Sequence, residues 1–371
     1  MKIKEVIHLL EDLAPLSYSE DFDNTGLLVG NSNTKVSGIL VTLDTLESVI
    51  DEAISNNCNL IVSFHPIIFS GLKKLTGKNY VERVVIKAIQ NNIAIFSMHT
   101  ALDNSWNGVN AMICEKLQLM NRKILLPKKE TIKKLTTYVP VKNADALRNS
   151  LFKAGAGNIG NYSNCSFTSE GIGSFLGEED SNQIKGEKGT LHFEKETQIN
   201  VTFQKHKEAS VLKALFNSHP YEEVAYEVIT LENTNQKLGM GMIAELENSL
   251  SEIDFLKHLK NTMNTNCVRH SKLSGQKIKK IAVLGGSGSF AISAAIQAGA
   301  DAFVTADCKY HDFFKAENNL LLADIGHYES EQFTKELLVA FISKKISTFA
   351  PALSTRRLVL SQINTNPITY F

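Results

Sequence analysis

The 371-residue chain has one tryptophan, five cysteines and no excess of charge of either sign. Lysine plus arginine equals aspartate plus glutamate at 39 each. No long-range field is therefore available to gather nucleic acid or an anionic membrane, and neither is expected as a partner. Cys58, Cys114, Cys165, Cys267 and Cys308 are odd in number and lack CxxC spacing. That excludes a disulfide frame and a thiolate zinc site, and reads as reduced thiols, mostly in the core. No apolar run is long enough to span a bilayer. Met1 leads directly into an amphipathic pattern, Ile3, Val6, Ile7, Leu10 and Leu13, without a signal-peptide apolar region. A cytoplasmic location is expected.

What the chain does contain is a set of apolar runs that end in histidine. Leu320-Leu321-Leu322 reads as a buried strand, followed by His327-Tyr328-Glu329-Ser330-Glu331 and the helical pattern Phe333, Leu337, Leu338, Phe341. His327 and Glu331 are four apart at a strand-to-helix turn, so both side chains can leave one face. A lone pair at this spacing is more often solvated surface pairing than half of a metal site. The same geometry recurs, however, where Ile93 to Met98 ends in His99-Thr100-Ala101-Leu102-Asp103. The lead-ins also match: Glu52 to His65 has the plan of Ala294 to Asp307, which runs on to His311. His65 precedes Pro66 and is thereby held in extended backbone at a strand tip. Two related α/β halves are expected to face each other and pool their polar strand ends into one site.

Between the halves the style of the sequence changes. Residues 121–134 are basic, contain Pro127 and read as a linker. Leu135 to Pro140 reads as a strand, Ala144 to Ala154 as a helix and Gly155 to Gly160 as a glycine-rich bend. Further strand and helix patterns run up to His219-Pro220-Tyr221-Glu222-Glu223, which predicts a ferredoxin-like α+β insert. The expected division is one discontinuous α/β body over 1–128 and 237–371, with an inserted domain over 129–236. Asp21, Asp23 and Asp44 or Thr45 read locally as turn and cap residues. Gly286-x-Gly288-x-x-Ala291 follows a strand as a dinucleotide loop would, but no acidic residue ends a following strand at the expected distance and no P-loop lysine follows. A tight strand-to-helix connection is the simpler reading.

Taken together, Phe22 to Leu27, Ile61 to Phe69, His99 to Asp103, Gly285 to Gly288, Lys309 to Asp312 and Gly326 to Glu331 resemble the NGG-one-interacting-factor-three-like proteins, also called GTP cyclohydrolase I type 2 homologues. The similarity covers nearly the whole chain, and the insert resembles the PII- or CutA-like domain of the long members. The resemblance implies a toroidal homohexamer built from trimers, with dinuclear metal centres facing an interior cavity. By position, His65, Asp103 and Glu331 would hold one ion, and His327 with a shared Glu331 the other. The first member of the usual histidine pair is here Phe64, which cannot ligate, so one or two ions per chain are expected, with His99 as a substitute ligand or support. Nitrogen and oxygen donors suit zinc, iron or manganese. Lys309 and His311 stand at a neighbouring strand tip, where they would move protons or hold an anionic substrate, or else cap the turn and make oligomer contacts. These features lead to a metal-dependent hydrolase of a nucleotide-like or phosphorylated small molecule. The alternatives are a non-enzymatic metal-binding regulator or carrier with a ligand-sensing insert, and a nucleotide-cofactor oxidoreductase using the glycine turn.

Overall fold

The structure, a computed structural model, describes residues 1–349 and 358–371. The chain folds as two compact units, Met1–Pro127 with Lys237–Phe371, and Lys128–Gln236.

In the first stretch of the body, strands β1 (Gly26–Val29), β2 (Ile39–Thr42), β3 (Leu60–Ser63), β4 (Ala94–Ser97) and β5 (Met120–Pro127) alternate with helices. The helices are α1 (Ile3–Glu11), α2 (Glu47–Ser55), α3 (Tyr80–Gln90), α4 (His99–Asp103) and α5 (Val109–Lys116). The insert comprises β6 (Ile132–Pro140), α6 (Ala144–Lys153), β7 (Phe167–Leu176), β8 (Leu191–Gln204), α7 (Glu208–Ser218) and β9 (Tyr226–Thr230). The body then resumes with β10 (Gly239–Ser251), α8 (Glu252–Thr262), β11 (Arg269–His270), β12 (Lys277–Ser287), α9 (Ile292–Gln297) and β13 (Ala302–Ala306). It continues through β14 (Leu321–Asp324), α10 (His327–Glu331), α11 (Thr334–Phe349) and β15 (Leu358–Leu360).

The body holds two sheets, ordered β1-β4-β3-β2-β15 and β11-β14-β13-β12-β10-β5. Within them β2, β3 and β4 run parallel, as do β12, β13 and β14, so the two halves share one plan. Every residue of β2, β3, β4, β13 and β14 is buried. These strands are continuous apolar runs because layers cover both faces of a parallel sheet. One core joins the halves, packing Val62, Phe64 and Phe96 with Val283, Val304 and Ala323. Asn57 and Asn92, just past α2 and α3, take left-handed φ values of 54° and 53°, which ends each helix and turns the chain into the next strand.

One sequence expectation is corrected. Residues 120–127 are not a linker but the edge strand β5, paired antiparallel with β10 from Gly239↔Pro127 to Glu245↔Met120. Its Arg122 and Lys123 are the basic residues with which an edge strand resists further pairing, and the composition resembles a linker for that reason. The insert is a βαββαβ unit whose antiparallel sheet is ordered β7-β8-β6-β9, the ferredoxin-like arrangement. Along β8 the buried residues alternate, Thr197, Ile199, Val201 and Phe203, and the apolar ones meet Leu147, Leu151, Val211 and Leu215 of the two helices.

Candidate metal centre

The polar ends of the parallel strands converge. Asp44 follows β2, His65 follows β3, His99 opens α4 after β4, Asp307 follows β13, and His327 opens α10 after β14. All therefore lie beyond the carboxyl ends of strands, where open α/β sheets form their clefts.

At the centre, His65 Nε2 lies 3.1 Å from Glu331 Oε2, His327 Nε2 lies 3.2 Å from the same oxygen, and the two Nε2 atoms are 3.4 Å apart. Donors bound to one ion at about 2.0–2.2 Å sit roughly 2.9–3.5 Å from one another in tetrahedral or octahedral geometry. The three atoms thus outline one face of a coordination polyhedron. Glu331 is buried, yet its Oε2 makes no hydrogen bond of acceptable geometry despite its closeness to both rings. An orphaned buried carboxylate oxygen is costly unless something else, such as a cation, meets it. The donor set fits a divalent ion.

Each imidazole is held from behind. His65 Nδ1 is 2.7 Å from Asp44 Oδ1, His327 Nδ1 is 2.7 Å from Asp307 Oδ2, and His99 Nδ1 is 2.8 Å from Asp23 Oδ1. Such pairs fix the tautomer and leave Nε2 as the free donor. Asp23 is itself anchored by the Thr100 amide at 3.1 Å and the Thr100 hydroxyl at 2.5 Å. Asp44 accepts a 2.6 Å bond from the Thr365 hydroxyl near the end of the chain. Burial alone would depress the histidine pKa values, but Glu331 with Asp44 lifts His65 to about 10, and Glu331 with Asp307 lifts His327 to about 9. Glu331 is held well below the usual carboxylate range, since the two rings outweigh its burial.

The remaining sequence-derived residues fall into two groups. Asp103 is half-buried, and its buried Oδ1 has no hydrogen bond. Burial and then the Glu331 charge raise its pKa far above the carboxylate range. It is not among the three converging donors, and neither is His99, whose ring stands edge-on to His65 at 5.4 Å and to Phe64 at 5.7 Å. Phe64 is wholly buried in the core. Lys309 and His311 are exposed beside the short helix that follows β13, with the His311 ring edge-on to Tyr310 at 5.1 Å. The Lys309 amide donates to Asp312 Oδ2 at 2.9 Å, a capping contact.

Sequence reasoning missed the orienting carboxylates. Asp44 does not cap α2, whose cap position is Leu46, because its side chain is taken by His65 and Thr365. Asp23 and Asp44 follow the turn grammar of any loop. The available signal was that each strand tip carrying a histidine has an aspartate at or beside a neighbouring tip.

The glycine turn is part of this site. Its Gly285 amide donates to Asn110 Oδ1 at 3.0 Å and its Gly286 amide to Ser330 Oγ at 2.9 Å, so both are taken by side chains and neither is free to cradle a pyrophosphate. Gly286 has φ +68°, and a Cβ there would fall 2.4 Å from Glu331 Oε1. Gly286→Ala is expected to destabilise the fold by about 1–3 kcal/mol through backbone strain. By pushing Glu331 aside it should also weaken divalent-ion binding at least tenfold, read by chelator competition. Unchanged affinity would show that Glu331 can move without consequence.

No helix among the described residues is long and apolar enough to cross a membrane. The profile of Duf34/NIF3 (NGG1p interacting factor 3) matches residues 1–367. A Bacillus subtilis protein called "GTP cyclohydrolase 1 type 2 homolog" is 36% identical over 373 residues, covering 99% of this chain and 98% of the relative. The crystal structure of a Bacillus cereus protein related to NIF3 matches with TM-score 0.85 and 34% identity, over 100% of this chain and 99% of that one. A Staphylococcus aureus structure matches with TM-score 0.77 and 32% identity at the same coverage. A profile matched over essentially the whole length and relatives of this identity and coverage give one conclusion: the chain belongs to the Duf34/NIF3 family.

Proposed function

We propose that this protein is a metal-dependent hydrolase of a nucleotide-like or phosphorylated small molecule. His65, His327 and Glu331 hold the ion, and Asp103 and His99 support it. The observation that carries the reading is the triangle of His65 Nε2, His327 Nε2 and the orphaned Glu331 Oε2, backed by Asp44 and Asp307. Three protein donors with His327 still partly exposed leave coordination positions open, the pattern of catalytic rather than structural sites. A zinc, iron or manganese ion would supply Lewis acidity toward a carbonyl or phosphoryl oxygen. Lys309 and His311, beyond Asp307, would hold the anionic part of the substrate or pass protons. The name of the Bacillus subtilis relative is compatible with such chemistry. The same reading includes the homohexamer of trimers that the family resemblance implies, and a cytoplasmic location.

A second reading, a non-enzymatic metal-binding regulator or carrier with a ligand-sensing PII-like insert, is favoured by one observation. Phe64 fills with an apolar ring the position where the resemblance expects an imidazole, which leaves donors for one ion rather than two. Metal content after stripping and defined reloading is expected to be about one ion per chain. Phe64→His is expected to raise it toward two. Two ions in the unaltered protein would mean that another donor has replaced the missing ring. Turnover of nucleotide and phosphate-ester substrates by fully loaded protein, lost in Glu331→Ala, supports the hydrolase; none across the panel supports the regulator.

A further inference from the structure

A cavity of about 690 Å³ in the insert lies outside the metal centre. That volume lies within the range of small-molecule sites. Its floor is the face of the insert sheet that carries Tyr138, Glu196 and Gln198, and its rim is the edge strand β7. The chain between β7 and β8 folds back over it, pinned where the Gly189 amide donates to the Gly177 carbonyl at 2.8 Å. The Asn182 amide donates to Glu222 Oε2 at 2.8 Å and ties this loop to the turn after α7. Strand β7 contributes Gly171 and Gly173 where side chains would narrow the space, and a Cβ on Gly173 would fall 2.2 Å from Glu196 Oε2.

The lining has two chemistries. Phe175 and Ile184 form apolar wall, and Tyr138 and Tyr221 add aromatic surface, the Phe175 ring standing 6.0 Å from that of Tyr221. Against these stand Glu178, Glu196, Glu222 and Glu223, opposed by one cation, Lys185, which is paired with Glu194 at 3.4 Å. The Tyr221 hydroxyl donates to Glu196 Oε1 at 2.8 Å, which fixes that carboxylate, whereas the Glu223 carboxylate makes no hydrogen bond or ion pair among the described residues. A hydrated metal ion would find no use for the apolar wall, and an anion would be repelled. Carboxylates and aromatic rings around an apolar trough match a ligand with a positive head and a hydrocarbon body.

We propose that this cavity binds an organic ammonium ligand, an aliphatic amine or polyamine, in the insert and independently of the metal centre. The hydrolase reading stands or falls without it, whereas the regulator reading would gain from it the ligand that its insert senses. The test uses the full chain, metal-loaded, titrated calorimetrically with spermidine and, as an anionic control, with AMP. Spermidine is expected to bind at one site per chain, and Glu196→Gln/Glu223→Gln to weaken it at least tenfold. An apolar-wall variant, Phe175→Ser, is expected to weaken it as well, which separates a built site from general attraction to acidic surface. Metal content should be unchanged in all variants. No spermidine binding, binding insensitive to these substitutions, or preference for AMP would each overturn the proposal.

Discussion

Replacing Glu331 with glutamine is expected to lower divalent-ion affinity by more than ~100-fold, beyond the 10–100-fold typical of losing a group that only orients a ligand. Glu331 is the sole atom source shared by both imidazoles in the triangle, and it brings the only negative charge among the three donors. Its loss acts on the metal-free protein as well. The two rings sit 3.4 Å apart and are held above their ordinary pKa chiefly by this carboxylate working against burial. Removing one partner of a buried ionic cluster costs about 3–5 kcal/mol. Chemical denaturation of chelator-treated protein should therefore show a lowered midpoint, alongside the loss of binding in a metal titration. If both measurements match the unaltered protein, the triangle is not the metal centre.

The second large effect is on pH dependence, and it separates the two forms of the protein. In the metal-free form His65 and His327 titrate at about 10 and 9, so near neutral pH both carry protons that must leave before Nε2 can donate to an ion. With two protons displaced, log K rises by about 2 per pH unit, roughly a thousandfold between pH 6.0 and 7.5. The metal-free fold behaves in reverse. A histidine whose pKa is raised on folding contributes stability that is fully present below its unfolded value, about 6.5, and is lost as pH climbs through the folded value. Between about pH 6.5 and 9 the stability of chelator-treated protein should fall, while at saturating zinc the growing affinity offsets that fall and leaves the loaded protein's stability nearly level. Melting curves across this window, with and without zinc, test the point. Parallel slopes would mean that the imidazoles are not protonated as their surroundings require.

How much of this was legible in the sequence can be judged residue by residue. The parallel strands were, because burial on both faces forces unbroken apolar runs such as Ile39 to Thr42 and Leu320 to Ala323. His65, His327 and Glu331 were legible because the duplicated plan marked the same strand tip in each half. The partners behind them were not. Asp23, Asp44 and Thr365 are 76, 21 and 321 residues from the groups they bind, and local grammar carries no trace of such distances. Strand β5 escapes the sequence for a related reason: its apolar face appears only once β10, more than a hundred residues later, lies beside it. His99 has a left-handed φ of 26°, unusual for a side chain of its size, and no residue pattern announces that either.

The bridge between His65 and His327 spans 262 residues of chain, and the whole insert lies within that span. An ion shared by the two rings is therefore a cross-link that closes a very long loop. In polymer terms such a closure removes on the order of 5 kcal/mol of entropy from the unfolded chain. The cost of a loop grows only as the logarithm of its length, by about 0.6 kcal/mol for each doubling. Excising the insert would shorten this loop by less than half, so its presence changes the closure term by less than that amount. A domain could be accommodated at this point of the chain with almost no entropic penalty to such a clip, and a bound ion would tie the flanking halves together whatever the insert is doing.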